Sequence, residues 1–267
     1  YSLVFDSPAD KAACENTVLM LQRTQLKPKE VLEHATDPVA TLDPELEKAL
    51  NPLSSPFALT GDSLAMQRLD VYRELLLSEQ MYINDLTVLK EAYAVPLYGD
   101  LTKKNCYLNK LELDTVFGNF EELLKIHADF FNSIKAHISQ SRLSQLIVQE
   151  FLKTSNQFYL YTDYCSSYCD ALRLLQRLLV ERPGLEQRLE LLQKDPRSKG
   201  HDIFSYLIKP IQRICKYSLF FTRLLGKMEA NHPFRSDLVL LNGKVVSIVT
   251  TINEKMTANE AYNELNR

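Results

Sequence analysis

The feature that most constrains the fold is a helical periodicity that begins near Leu64 and continues almost to the end of the chain. Apolar residues recur there at spacings of three and four, with few breaks, as in amphipathic helices. The pattern predicts helices near residues 64–94, 111–138, 142–180, 184–194, 202–229 and 234–260. Several exceed the mean helix of about 11–12 residues more than twofold. We therefore predict an all-α fold, an elongated bundle of about six core helices.

Composition agrees with a helical chain and narrows the classes of function. Glycine accounts for only 7 of 267 residues, which argues against the many positive-φ turns of a β architecture. A net charge of −3 gives no global basic field, so we expect no nucleic-acid partner. Five cysteines, an odd number without a secretory signal, predict reduced thiols and a cytoplasmic protein. No apolar run approaches a membrane span, so membrane contact is not evident in this chain.

Motifs for bond chemistry are not found in the sequence. Cys165 and Cys169 share a predicted helix face, but no second Cys or His pair has the spacing of a zinc site, so we expect no metal. The phosphate-binding pattern G-x-x-x-x-G-K-[ST] does not occur. Neither a nucleophile–base pair nor a Cys–His hydrolase signature is present. We therefore expect no cofactor and no bond-making or bond-breaking active site.

Residues 1–63 form an N-terminal extension of different character, helical in part and otherwise irregular. Short helices are predicted over 8–23 and over 43–50, the second with Asp43 as N-cap and Pro44 at the first helical position. The first 65 residues hold ten acidic and five basic side chains, a net charge of −5, and the remainder carries +2. The extension is thus an acidic segment joined to a mildly basic body.

The segment "SYLIKPIQRICKYSLFFTRLL", residues 205–225, combines an apolar helix with a row of cations. At 100° per residue, one sector about 100° wide holds the polar side chains Lys209, Gln212, Arg213, Lys216 and Arg223. The opposite sector holds Leu207, Ile211, Ile214, Phe221 and Leu225. A solvated helix face would explain this pattern. The alternative is a face that docks a partner, because Phe220 interrupts the polar sector and the composition is close to that of interfaces.

Four segments within residues 64–260 resemble one known family. "YLIKPIQRICKYSLFF" (206–221) is similar to the third conserved region of Dbl-homology domains, the exchange domains of Rho-family guanine-nucleotide exchange factors. "RELLLSEQMYINDL" (73–86) resembles the first region and "VFGNFEELLKIHADFF" (116–131) the second. "TINEKM" (251–256) is similar to the end of the last core helix. The resemblance implies a Dbl-homology domain over 64–260, with 1–63 outside it and 261–267 as a tail.

The departures from the family pattern are few. Ser78 stands where threonine is usual, and Ser218 replaces a common proline. Phe220 and Phe221 replace two leucines. Val246 occupies a position in the last helix that is often polar. These departures bear on the efficiency of exchange more than on its existence.

The resemblance assigns roles to individual residues. It implies that Glu74 contacts the switch I loop of a GTPase and pairs with Lys209. It also implies that Ile208, Gln212 and Arg213 lie along switch II. The remaining implied GTPase-binding positions are Lys216, Asn242, Val246 and Asn253. Lys244 or Asn242 is the alternative to Val246, and the alternative for Asn253 is a structural asparagine inside the helix.

Two further residues of these motifs are predicted to be structural. Glu79 lies among apolar neighbours on its helix, so we expect it to be partnered inside the bundle, where an unpaired carboxylate is costly. His127 is predicted to be a packed core histidine.

The function implied by the resemblance is guanine-nucleotide exchange on a Rho- or Rac-like small GTPase. The alternative is a scaffold of the same fold that binds signalling partners without catalysing exchange. Members of the family often carry a pleckstrin-homology domain after the bundle, so recruitment to a membrane would depend on regions outside this chain. Residues 1–63 are interpreted either as an acidic segment that folds onto the basic face and inhibits exchange or as a passive cap on the bundle.

Overall fold

The computed structural model describes residues 41–50, 63–99, 107–137 and 143–265, and every regular element in these ranges is helical. The α-helices are α1 (Pro44–Ala49), α2 (Ser63–Val88), α3 (Val95–Gly99), α4 (Lys110–Phe117), α5 (Phe120–Ala136), α6 (Leu143–Ser155), α7 (Tyr159–Glu181), α8 (Pro183–Gln193), α9 (Ile203–Leu207), α10 (Lys209–Leu225) and α11 (Arg235–Leu265). A π-helical segment, Leu89–Ala94, joins α2 to α3, and a 3₁₀ turn, Pro196–Ser198, follows α8. The predicted all-α fold is confirmed.

Most predicted helices occur, and three of them are divided. The prediction 111–138 becomes α4 and α5, which separate at Gly118, where φ is +54°. Residues other than glycine rarely adopt a positive φ. Because an α-helix requires a negative φ, the helix cannot continue through Gly118. Similarly, 142–180 divides into α6 and α7, and 202–229 divides near Ile208 into α9 and α10.

Helix α10 lies at the centre of the bundle. It packs against α2, α7, α9 and α11, so 11 of its 17 residues are buried. Aromatic rings fill the space beneath it: Tyr217 and Phe221 stack at 5.9 Å, and Phe151 meets both of them edge-on. The polar stripe predicted to face outward is therefore only partly exposed: Lys209, Lys216 and Arg223 reach solvent, whereas Gln212 and Arg213 are buried. Phe220 is buried because it packs in the core cluster.

The short helix α1 is part of the same core. Asp43 caps it by accepting a hydrogen bond from the Glu45 amide, and Pro44 occupies its first position, as predicted. Leu42, Leu46 and Leu50 are buried against the bundle. The predicted helix over 8–23 lies outside the described residues.

Polar contacts fix α1 to α2 and α5. The carboxylate of Asp43 lies 2.7 Å from the ammonium of Lys135 on α5. On α2, Arg73 pairs with Glu47 at 2.7 Å, and Gln80 accepts a hydrogen bond from the Asp43 amide. This end of the N-terminal extension is thus built into the bundle.

Candidate functional site

A cleft between α2 and α10 collects charged and polar side chains from both helices. It is lined by Ser78, Met81, Tyr82, Asp85, Lys209, Gln212, Arg213 and Lys216. Four of the predicted contact residues, all on α10, belong to this cleft. Lys209, Gln212 and Lys216 line its walls, and Arg213 forms its floor. We call it the α2–α10 cleft.

Two ion pairs join α2 to α10, one inside the cleft and one beyond its lining residues. Glu74 pairs with Arg223 at 2.7 Å, and Asp85 pairs with Lys209 at 3.1 Å. Glu74 precedes Asp85 by eleven residues, a rise of about 16 Å along a helix, so α2 and α10 are antiparallel. The predicted pairing of Glu74 with Lys209 is wrong for this structure, because each side chain pairs with a different residue at a different level along the two helices.

Lys216 lies between these two pairs. Its side chain is partly exposed, and within the described part of the chain no carboxylate forms an ion pair with it. Burial lowers the pKa of Lys216 to about 8, and the positive charges of Arg213 and Lys209 act in the same direction. The carboxylates Asp85 and Glu74 oppose the shift without cancelling it. The cleft therefore presents a cation whose charge is not neutralised by its own surroundings.

A fully buried ionic network lies beneath the cleft, centred on Glu79. One carboxylate oxygen lies 2.5 Å from Nδ1 of His127, and the other accepts hydrogen bonds from Arg213 and, at 2.8 Å, from the hydroxyl of Tyr217. Burial by itself would raise the pKa of Glu79, but the charges of Arg213 and His127 lower it to about 2. Glu79 is partnered inside the bundle and His127 is a core residue, as expected.

Arg213 connects this network to the cleft. Besides its bond to Glu79, it donates a hydrogen bond of 2.8 Å to the hydroxyl of Ser78, and its guanidinium lies 4.5 Å from the centre of the Tyr217 ring. Its side chain is only 3% exposed. The prediction that Arg213 itself contacts a partner along switch II is therefore corrected, since its charge is already engaged inside the protein. Its place is the floor of the cleft.

The other predicted contact residues differ in accessibility. Ile208 and Gln212 are largely buried, although Gln212 reaches the cleft. On α11, Asn242 and Asn253 are buried and do not line the cleft. Val246 is partly exposed on the same helix. The buried amides are thus poorly placed for direct contact with another protein.

The alternative contact Lys244 points elsewhere. Its ammonium donates a hydrogen bond of 2.7 Å to the side-chain oxygen of Asn156, at the end of α6. In this structure its ammonium is thus engaged within the protein, by a contact that is exposed.

Four cleft residues were not predicted as contacts from the sequence: Ser78, Met81, Tyr82 and Asp85. Asp85 could have been found, because it follows Glu74 by three helical turns and shares its sector. Tyr82 and Met81 carry no charge signal. Their position depends on how α10 crosses α2.

Residues 71–253 match the family model of the RhoGEF domain. The chain belongs to the RhoGEF domain family. The matched range spans α2 to α11 and includes both walls of the α2–α10 cleft.

Relatives of this RhoGEF domain are found in much larger proteins. Myosin-M heavy chain of Dictyostelium discoideum is 27% identical over 225 residues, which are 82% of this chain and 13% of that protein. The phosphatidylinositol 3,4,5-trisphosphate-dependent Rac exchanger 1 protein of Mus musculus is 29% identical over 70% of this chain and 12% of its own length. The chain thus spans only a small part of these relatives.

Solved structures share the same fold. An apo structure of an activated truncation of Vav1 superposes with a TM-score of 0.68 at 21% identity, covering 83% of this chain and 53% of that one. The DH/PH fragment of PDZRHOGEF, solved in complex with human RhoA, gives 0.63 at 19% identity and covers 81% of this chain and 62% of that one. These structural similarities show that this chain has the same fold as those two proteins.

Neither a membrane span nor a metal cluster occurs among the described residues. No helix there has the length and apolar character to cross a membrane. No group of three or more His, Cys, Asp or Glu side chains in the same part of the chain is arranged to hold a metal ion. Burial raises the pKa values of the Cys165 and Cys215 thiols, which makes them inert core residues.

Proposed function

We propose that this RhoGEF domain promotes GDP release from a Rho-family small GTPase that docks over the α2–α10 cleft. The single observation that carries the proposal is the cleft itself, within the family's matched range, where the charge of Lys216 is left uncompensated. A partner can offer carboxylates or carbonyls to such a cation at a small desolvation cost, because the lysine is already partly desolvated in the free domain.

The proposed mechanism makes and breaks no covalent bond. Exchange requires that the domain bind the nucleotide-free GTPase more tightly than the GDP-bound form. The shift in nucleotide occupancy is limited by this ratio of affinities. The GTPase switch loops, which the nucleotide and Mg²⁺ hold in place, are the natural elements for the cleft to displace.

Residue roles in this mechanism follow from accessibility. The Glu74–Arg223 ion pair is half-exposed and worth about 0–1 kcal/mol, so a partner can replace it cheaply. Lys209 and Asp85 are 21% and 30% exposed, so the partner would meet a pair that is already partly desolvated. Lys216 and the part of Gln212 that lines the cleft contact the partner in the region between Glu74 and Lys209. Arg213 acts through Ser78 as a positioning residue.

The proposed partner class is supported by the names of similar proteins. One relative at 29% identity is a Rac exchanger, and one structure of the same fold was solved with RhoA. A Rho- or Rac-like GTPase is therefore the partner that we propose, which implies action in the cytoplasm. Recruitment to a membrane would then depend on the longer protein in which such domains occur.

The N-terminal extension is proposed to act on the cleft through its charge. The described part, Thr41–Leu50, contacts Arg73, Gln80 and Lys135, none of which lines the cleft. It therefore caps the bundle.

Residues 1–40 precede Thr41, whose carbonyl accepts a hydrogen bond from Gln80 on α2, the helix that forms one wall of the cleft. Their acidic side chains are the proposed competitors for Lys216.

Removal of residues 1–40 tests this inhibitory contact. GDP release should accelerate in the truncated chain, and the acceleration should shrink at high salt, which screens the attraction in both proteins. Equal rates for the two chains at low salt would leave the extension as a cap alone.

The experiment that separates an exchange factor from a scaffold is a comparison of affinities. The domain is titrated against nucleotide-free and GDP-loaded GTPase, and again as Glu74→Ala and Lys209→Ala. We expect at least tenfold tighter binding of the nucleotide-free form, about 1.4 kcal/mol, and loss of this preference in both variants with unchanged helicity. Equal affinity for the two forms would indicate the scaffold.

A further inference from the structure

The surroundings of Lys216 set it apart from the other described lysine in the cleft. On α10, Lys209 precedes it by two helical turns and Arg213 by one, so two positive charges share its face. Across the cleft on α2, Asp85 is engaged by Lys209 and Glu74 by Arg223. Lys216 is therefore crowded by cations while the nearby carboxylates are held by other partners.

This environment favours the neutral form of the amine. Burial first, and then the charges of Arg213 and Lys209, lower the pKa of Lys216 to about 8. At neutral pH a larger fraction of this amine is therefore unprotonated than for an ordinary lysine, whose pKa is about 10.4. An unprotonated amine has a lone pair, and it is the form that attacks electrophilic carbon.

Access completes the requirement for reactivity. Lys216 is partly exposed, and its side chain lines an open cleft with Ser78 and Met81. A small electrophile can therefore reach the amine from solvent. Lys209 lines the same cleft, but its ammonium is held by Asp85 at 3.1 Å.

We propose that Lys216 is a modification site that accepts acyl groups from thioesters, and that acylation switches off docking at the α2–α10 cleft. The neutral amine attacks the thioester carbonyl carbon, a C–N bond forms and the C–S bond breaks. The sulfur leaves as a thiolate and takes up the proton that the nitrogen loses, so no oxidant or reductant is needed. The product is a neutral amide, which removes the uncompensated positive charge of Lys216 from the cleft.

The second half of this proposal rests on the proposed function, and the first half does not. Acylation is a property of the amine and its surroundings. Loss of docking matters only if a GTPase binds there. The test therefore measures the two separately.

Site-resolved labelling tests the modification site. The intact chain is incubated with acetyl-coenzyme A at pH 7.5, and acetylation of each lysine is followed by mass spectrometry. The matched controls are Lys255 on α11 and Lys194 after α8, both exposed. Because nucleophilicity falls together with pKa, as it does for thiolates, we expect Lys216 to react about tenfold faster rather than in full proportion to its neutral fraction. Equal rates at Lys216 and the controls would overturn the proposal.

A variant tests the electrostatic cause. Lys209→Gln removes one neighbouring cation and releases Asp85, which can then pair with Lys216. Both effects hold the amine protonated, so acetylation of Lys216 should slow several-fold while Lys255 is unaffected. An unchanged rate at Lys216 would contradict the role of Lys209 in lowering the pKa of the amine.

Exchange measurements on the labelled protein test the switch. GDP release should fall in proportion to the fraction acetylated at Lys216, and Lys216→Gln should reproduce the loss. Full activity in the acetylated chain would overturn the switch. If the unmodified chain promotes no GDP release, the proposed function is wrong, whereas the labelling rates still decide the modification site.

Discussion

At the scale of single residues, the sequence separated two glutamates of one helix correctly. Glu74 and Glu79 differ by 140° around α2, and their apolar neighbours indicated which of them faces the core. The partner of Lys209 could not be predicted in the same way. A helical sector gives an angle but no axial register between two helices, and that register places Lys209 opposite Asp85.

The first prediction concerns the buried ion pair of Glu79 and Arg213. Glu79→Gln leaves the guanidinium buried without its charge partner, which should lower the free energy of unfolding by about 3–5 kcal/mol. Urea denaturation followed by circular dichroism measures it. The matched control is Glu74→Gln, whose half-exposed pair should cost less than about 1 kcal/mol. Similar losses in both variants would contradict the network described for Glu79.

The second prediction concerns the pH dependence of stability. Burial acts to raise the pKa of Glu79, but Arg213 and His127 lower it from 4.5 to about 2. Because the folded-state pKa is below the unfolded value, the stabilisation is complete above about pH 4.5 and is lost as the pH falls toward 2. The urea midpoint of the wild type should fall more steeply across this window than that of Glu79→Gln. Parallel profiles would argue against an ionised Glu79 in the folded protein.

At the scale of elements, α10 shows why an amphipathic pattern can mislead. Its polar sector was expected to face outward, yet α2 packs against part of it, where Arg213 is buried and bonds to Ser78 and Glu79. The sequence of one helix reveals its polar sector but not how many neighbours pack around it. A polar residue in a covered sector must then find a partner inside the protein, which for Arg213 is Glu79.

A third prediction tests whether α1 belongs to the cooperative core. Leu46 is fully buried between α1 and the bundle, so Leu46→Ala should destabilise the whole domain by about 2–5 kcal/mol. Leu64, which is 39% exposed at the start of α2, provides the control, and its alanine variant should lie within about 0.5 kcal/mol of the wild type. The measurement is thermal or urea unfolding in a single transition. A wild-type midpoint for Leu46→Ala would show that α1 docks without contributing to the core.

At the scale of the whole molecule, the periodicity of the sequence predicted the class of fold and the position of most helices. It missed the division at Gly118, because a single positive-φ residue interrupts a pattern that is otherwise continuous. It also missed the π-helical segment that follows α2. The site was predicted as a row of cations on one helix facing one carboxylate, Glu74, of the first helix. Its carboxylate wall, with Asp85, required the packing of α2 on α10.

The measurement that tests the central claim most directly is the rate of GDP release from a panel of Rho-family GTPases, each loaded with fluorescent GDP. The intact chain should accelerate release from at least one of them. Glu74→Ala, Lys209→Ala and Lys216→Ala should each remove at least tenfold of that acceleration, about 1.4 kcal/mol of barrier, and the exposed control Lys255→Ala should be unaffected. Release at the intrinsic rate from every GTPase, or full activity in all three cleft variants, would contradict the account of the α2–α10 cleft as the exchange site.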